Sequence, residues 1–143
     1  MFFGQYNYQL DEKNRVRIPS KLRTELTNTY VITKGTNNSL FIFSKEYFQS
    51  AFIDRLNDIP TFDIDAQRPI RALLSSSFEI EEDKQGRFVI PANLRDFAHI
   101  TKDIVFVGVG HRLELWSKES WDSYINSDQS FDSVVGELIK YNI

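Results

Sequence analysis

Residues 11–23, DEKNRVRIPSKLR, return 72 positions later as residues 83–95, DKQGRFVIPANLR. The two stretches share Asp11 with Asp83, Arg15 with Arg87, Ile18 with Ile90, Pro19 with Pro91, Leu22 with Leu94 and Arg23 with Arg95. With one further residue of offset the match resumes, pairing Gly35 with Gly108, Leu40 with Leu113, and Ser44, Lys45 and Glu46 with Ser117, Lys118 and Glu119. A chain of 143 residues that spells one unit twice has few architectures open to it. A unit of roughly 60 residues buries too little surface to be comfortably stable alone. The two copies are therefore expected to share one core.

Within the first copy Tyr6, Tyr8 and Leu10 alternate with polar residues, and Val16 and Ile18 alternate with Arg15 and Arg17. That is the period of a half-buried strand, so each Asp–Arg segment is expected to turn a β-hairpin. The turn carries Asn14 in one copy and Gly86 in the other, two residue types that enter the left-handed region cheaply, while Asp11 and Asp83 can fold back onto turn amides. Pro19 and Pro91 suit the first position of a helix, with Leu22 and Leu26, or Leu94, Phe97 and Ala98, on its apolar side. A second strand pair follows in each copy, residues 30–34 with 40–43 and 104–109 with 113–116, turned through GTNNS and GVGHR. Ser44 and Ser117 stand where helix N-caps belong, ahead of Phe48, Ala51, Phe52 and Leu56 at helical spacing.

These signals divide the chain into a first half over residues 1–58, a linker with a short helix over 59–75, a second half over 76–126 and a C-terminal amphipathic helix over 127–143. The linker helix is expected at 69–74. In the last segment Phe131, Val134, Val135, Leu138 and Ile139 step by three and four. It has no counterpart in the repeat and suits a subunit contact. The expected fold class is α+β and β-rich, with the two half-units forming a pseudo-twofold barrel under peripheral helices.

Composition narrows the function. The formal net charge of −3 argues against a nucleic-acid partner on average. Yet residues 13–24 hold Lys13, Arg15, Arg17, Lys21 and Arg23 and no acid, while acids gather at Asp54, Asp58, Asp63, Asp65 and again over 79–83. Charge is segregated along the chain. No apolar run approaches the roughly 20 residues of a membrane span. The N-terminus lacks the pattern of a secretory signal, which with the absence of cysteine suggests a cytoplasmic protein. Without cysteine there is no thiolate nucleophile, iron–sulfur cluster or Cys-type zinc site. His99 and His111 have no ligand or nucleophile motif around them. Glu79, Glu81, Glu82 and Asp83 look like the solvent side and end of a strand, and GVG over 108–110 looks like a turn between strands and not a phosphate loop. No catalytic residue, metal or cofactor is expected.

MFFG, LDEKNRVRIPSKLR, DKQGRFVIPANLR and GVGHRLELWS together resemble the MraZ family of bacterial transcriptional regulators, over essentially the whole chain. They also look like the wider AbrB and SpoVT superfamily of swapped-hairpin DNA-binding proteins, with two tandem AbrB-like half-units here in one chain. The resemblance implies a nucleoid-associated, cytoplasmic regulator that binds double-stranded DNA at tandem G-rich repeats, in the promoter of its division and cell-wall gene cluster. It implies a ring-shaped homo-oligomer, commonly octameric, with no membrane partner and no small-molecule substrate. The family's signature Asp and Arg map onto Asp11 with Arg15 and Asp83 with Arg87. Asn14 stands where the family pattern has Gly.

The chemistry of these residues agrees with that implication. A guanidinium fork matches the O6 and N7 acceptors of guanine in the major groove, which suits Arg15 and Arg87 to G-rich targets. Lys13, Arg17, Lys21 and Lys84, with Arg23 and Arg95 beside them, would hold phosphates, which position a protein without reading sequence. Asp11 and Asp83 are expected to orient their arginines. The competing reading makes each arginine a surface ion pair with that same aspartate, or with Glu12 or Glu82. Its functional form is a ring-forming interaction scaffold without specific DNA binding, with Phe48, Phe52, Trp121 and Tyr124 either in contacts or in the core.

Overall fold

The structure, a computed structural model, describes residues 1–26, 29–126 and 129–143. Strands β1 (Gln5–Gln9) and β2 (Arg15–Arg17) precede helix α1 (Ser20–Leu26). Strands β3 (Tyr30–Lys34) and β4 (Leu40–Ser44) lead into α2 (Lys45–Phe48), which runs through a π-helical turn, Gln49–Ile53, into α3 (Asp54–Asn57). After α4 (Ile64–Ser75) the series repeats as β5 (Phe78–Ile80), β6 (Arg87–Val89), α5 (Ala92–Phe97), β7 (Asp103–Val109), β8 (Arg112–Ser117) and α6 (Lys118–Ile125). Helix α7 (Phe131–Gly136) and a 3-10 turn, Glu137–Tyr141, follow. Residues 127 and 128, where the C-terminal helical segment is expected to begin, lie outside the described residues. The chain is α+β, as its strand and helix periods require. Among the described residues no helix is long and apolar enough to cross a membrane.

Six strands form one antiparallel sheet in the order β1-β7-β8-β4-β3-β5, and β2 pairs with β6 in a separate ribbon. Exchanging the two copies turns this order into its own reverse, so the repeat in sequence is a pseudo-twofold in topology. β1 of the first copy lies along β7 of the second, from Gln5 opposite Val107 to Gln9 opposite Asp103. β5 of the second copy lies along β3 of the first, from Tyr30 opposite Ile80 to Ile32 opposite Phe78.

Two expectations are corrected here. The hairpin expected within each copy keeps only its turn: Asp11 N–H donates to the Arg15 carbonyl at 3.1 Å and Asp83 N–H to that of Arg87 at 2.7 Å. Beyond the turn the strands leave each other for partners in the opposite copy. The expected barrel is an open sheet, with β1 and β5 at its two edges and unpaired with each other among the described residues. The physical reason for both is the inward side of the short strands. Val16 and Phe88 are buried in the main core, so β2 and β6 cover the core as a ribbon and do not extend the sheet.

Packing follows from alternation along each strand. Tyr30, Ile32, Leu40, Ile42, Ile104, Phe106, Leu113 and Leu115 face the main core, which α1 and α5 close with Leu22, Leu26 and Leu94. The opposite face carries two smaller clusters, Val31, Phe43 and Phe48 under α2, and Val105, Trp116 and Trp121 under α6. Phe48 and Trp121 are thus core residues, whereas Tyr124 is 52% exposed. Ser44 and Ser117 cap α2 and α6, accepting from the amides of Tyr47 at 3.1 Å and Ser120 at 3.0 Å. Pro91 is itself the N-cap of α5, one position earlier than expected. The linker helix is longer than its expected 69–74, because Asp63 caps it at Ile64 and Pro69 sits inside it at the loss of one backbone hydrogen bond.

The MFFG segment has a structural role. Phe2 is buried and exchanges backbone hydrogen bonds of 2.8 and 2.9 Å with Gly110, while Gly108 N–H donates to the Gly4 carbonyl at 2.9 Å. A Cβ on Gly108 would lie 2.3 Å from the Phe3 nitrogen, so only glycine admits this crossing. The register also shows that the match of Gly35 to Gly108 is not an equivalence. Lys34 faces Leu40 and Gly108 faces Leu113, which makes Lys34 the counterpart of Gly108 and leaves the first loop one residue longer.

Candidate nucleic-acid interface

The two Asp–Arg turns have the same construction. Asp11 Oδ1 accepts from the amides of Lys13 and Arg15, both at 2.9 Å, and its Oδ2 accepts from Arg15 Nε at 2.8 Å. Asp83 Oδ1 accepts from the amides of Gln85 at 2.8 Å and Arg87 at 2.9 Å, and its Oδ2 from Arg87 Nε at 2.9 Å. Asn14 and Gly86 close the turns at φ of 60° and 78°. Asn14 therefore fills the position without changing the backbone. Each carboxyl is held below its ordinary value, first by the amide of the arginine four residues on, with the second turn amide and the guanidinium adding to it against partial desolvation. One oxygen fixes the turn and the other holds the arginine by Nε. No further partner among the described residues engages the terminal nitrogens of either guanidinium, which leaves both forks available.

The ribbon brings the two turns together. In its register Arg15 faces Val89, Val16 faces Phe88 and Arg17 faces Arg87. Directly opposed residues of an antiparallel pair share a face. With Val16 and Phe88 buried, the other face must present Arg15, Arg17, Arg87 and Val89 outward. Arginines 72 positions apart in sequence thus stand on one two-stranded surface. Lys13, Lys21 and Lys84 are exposed. Arg17 and Lys84 line one concavity with Tyr8, Ser20 and Gln85, so cations from both copies converge there.

The remaining expected residues divide. Arg23 is engaged by the protein: its terminal nitrogens donate to Glu82 at 2.7 and 2.8 Å and to the Gly86 carbonyl at 3.3 Å. Glu82 also accepts from the Tyr30 hydroxyl at 2.9 Å. Burial, the largest cause, and the Glu82 charge both push the Tyr30 phenol well above its ordinary value, while the Glu82 hydrogen bond raises Arg23 against partial desolvation. Arg23 braces the second turn from the first copy. Arg95 donates to the Ile90 carbonyl at 3.1 Å, and the Ile90 amide in turn donates to the Asn14 carbonyl at 3.4 Å. Arg23 therefore has both terminal nitrogens engaged at the second turn, whereas Arg95 gives one bond to a backbone carbonyl.

The acids at 79–83 do not converge on one point: Glu79 pairs with Lys45 at 3.1 Å, Glu82 with Arg23 and Asp83 with Arg87. His99 ends α5 in the left-handed region, and His111 stacks its ring on Tyr47 at 5.1 Å. Among the described residues no group of three or more histidines and carboxylates is placed to hold a metal ion. Sequence reasoning missed Val89, whose alternation put it on an outer face but whose partner Arg15 is visible only from the register.

Comparison with known proteins bears on the whole chain. The family model described as "MraZ protein, putative antitoxin-like" matches residues 1–71 and 73–137. The protein named transcriptional regulator MraZ of Thermoanaerobacter pseudethanolicus is 44% identical over 144 aligned residues, covering 100% of each chain. Those of Clostridium beijerinckii and Clostridium tetani, under the same name, are 43% identical over 138 residues, 96% of each chain, and 39% over 143 residues, 100% of each. Matched by the family model through both copies of its repeat and end to end by such relatives, the chain belongs to the MraZ family.

Proposed function

We propose that this chain is a sequence-specific transcriptional regulator that places the outer face of the β2–β6 ribbon in the major groove of double-stranded DNA. A two-stranded ribbon fits that groove, and an arginine fork there discriminates guanine by roughly 1–3 kcal/mol. In this reading Arg15 and Arg87 take guanines, Asp11 and Asp83 hold them in position, and Lys13, Arg17, Lys21 and Lys84 take phosphates. The observation that carries it is the pair of identical Asp–Arg turns, whose arginines share one exposed face with Arg17. The competing ion-pair reading accounts for each turn alone. It gives no reason for both arginines to keep their forks open on the same surface.

The cognate site is inferred to be the tandem G-rich repeats of a division and cell-wall promoter, and the site of action the cytoplasmic nucleoid. A ring of subunits would let weak contacts add, since a second contact made at high effective concentration can gain ~10²–10⁴ in avidity. The exposed apolar residues Phe131, Val134, Val135, Leu138 and Ile139 favour such self-association. The swapped-hairpin relationship is supported by the exchange of β1 and β5 between the copies.

The test is fluorescence anisotropy on a G-rich tandem-repeat duplex and on a scrambled one, over a salt series. Wild type should prefer the repeats and weaken steeply with salt, and Arg15→Ala and Arg87→Ala should lose the preference. Absence of binding at low salt by folded, assembled protein would hand the role to an interaction scaffold.

A further inference from the structure

The two rows of the ribbon face are equivalent by the repeat but not in chemistry. Exchange of the copies maps Arg15 onto Arg87 and Arg17 onto Val89, so the row Arg87–Arg17 on one side becomes Arg15–Val89 on the other. The cations near the turns differ between the copies as well: Lys13 and Lys21 have the neutral counterparts Gln85 and Asn93, while Lys84 stands where the first copy has Glu12. Val89 is 52% exposed and shares its face with three guanidinium groups. It makes no contribution to the core that Val16 and Phe88 occupy, and it lowers the positive charge of a surface that needs it.

Resting on the DNA-binding reading above, we infer that Val89 is a specificity-determining residue that takes the 5-methyl group of a thymine beside the guanine taken by Arg15. Opposed Cβ atoms in an antiparallel ribbon stand about 5 Å apart, and successive bases on one strand about 3.4 Å. Arg15 and Val89 therefore reach the same or neighbouring base pairs. In the major groove only thymine offers a methyl group, and an apolar side chain is its natural contact. The other row, with Arg17 in place of Val89, has no apolar group to offer. One chain then distinguishes the two directions along its site, although its fold is pseudo-symmetric. The orientation comes from the single replacement of a cation by an isopropyl group.

The experiment begins with selection from a randomised duplex library by the full-length wild-type protein, after which the selected duplex is remade with deoxyuridine at each thymine in turn. Loss of one methyl contact corresponds to roughly fourfold in affinity. Wild type should weaken by that factor at one thymine next to a guanine, Val89→Thr should keep part of the sensitivity, and Val89→Ala should lose it. Val89→Arg should erase the thymine preference and steepen the salt dependence by about one phosphate contact. Indifference of wild type to every replacement, or equal sensitivity in Val89→Ala, overturns the assignment of Val89 and leaves DNA binding intact. Failure to select any duplex over a scrambled one overturns the DNA-binding reading and the role of Val89 with it.

Discussion

Replacing Asp83 by asparagine should separate the two tasks of its carboxylate. The new side-chain amide would retain an oxygen for the backbone amides of Gln85 and Arg87, which Asp83 Oδ1 meets at 2.8 and 2.9 Å, so the turn should persist. The other end of the side chain would become an NH₂ group facing Arg87 Nε, where a carboxylate oxygen now accepts at 2.9 Å. Two donors cannot bond, and the guanidinium is set free. Immobilising a freed arginine again on DNA carries the entropic penalty of a rotamer-rich side chain, equivalent to about two- to tenfold in affinity for the cognate duplex. The lost negative charge acts in the opposite direction and strengthens binding to any duplex. The predicted signature is therefore a fall in the ratio of cognate to scrambled affinity, with scrambled binding unchanged or tighter and only a modest fall in the urea unfolding midpoint, from loss of the charged carboxylate at an exposed turn. Asp11→Asn should behave alike. Anisotropy on both duplexes, beside urea titration, measures all three quantities. A preserved ratio in Asp83→Asn would show that the carboxylate does not orient the arginine, and would refute the reasoning.

Arg23→Ala should destabilise the protein by about 1–3 kcal/mol in urea unfolding, the loss for a buried ion-pair partner reduced because Arg23 is one-third exposed. Leucine at position 82, as at its repeat counterpart Leu10, should recover most of that loss in an Arg23→Ala, Glu82→Leu variant that also carries Tyr30→Phe, because the buried Tyr30 hydroxyl otherwise loses its acceptor. Gly108→Ala should cost roughly 1–3 kcal/mol, because the new Cβ meets backbone and not a flexible side chain, and hydrogen exchange should rise at Phe2 and Gly110. The carboxyls of Asp11 and Asp83 lie below their ordinary value of 3.8 in the folded state, so their stabilising contribution is complete above that pH and fades as pH falls through the lower folded values. The Asp11→Asn, Asp83→Asn double variant should accordingly show a flatter fall in stability below about pH 4 than wild type does.

Much of this arrangement is written locally and could be read from the sequence. Ser44 and Ser117 announce helix starts because an N-cap is decided by its nearest amides, and the Asp11 and Asp83 turns are closed within a few residues of their own chain. Pairing across the copies is not local. Alternation identifies β1 and β2 as strands but is silent on which strand lies alongside, so a hairpin is the natural expectation and the exchange with β7 and β6 is not legible. The glycines show the same limit. Gly35 and Gly108 match as letters, yet a Cβ on Gly35 would strike the Phe41 ring at 2.4 Å, whereas one on Gly108 would strike the arriving N-terminal backbone. Arg23 is legible as a cation and as a repeated residue, but its engagement by Glu82 depends on a fold that brings together residues from different copies.

The strand exchange makes the two copies obligate partners. A first copy alone would have β1 without β7, β2 without β6 and β3 without β5, and the burial of Val16 would lack the Phe88 beside it. Neither copy alone holds the partners of these strands, and the pairings that close the structure join residues far apart along the chain, which places loop-closure entropy ahead of the contacts that reward it. The segment around Pro60 and α4 then serves as a tether that keeps each copy at high local concentration of its complement. Cut there, the halves would resemble the two subunits of a heterodimer, able to find each other again but with a stability that falls on dilution.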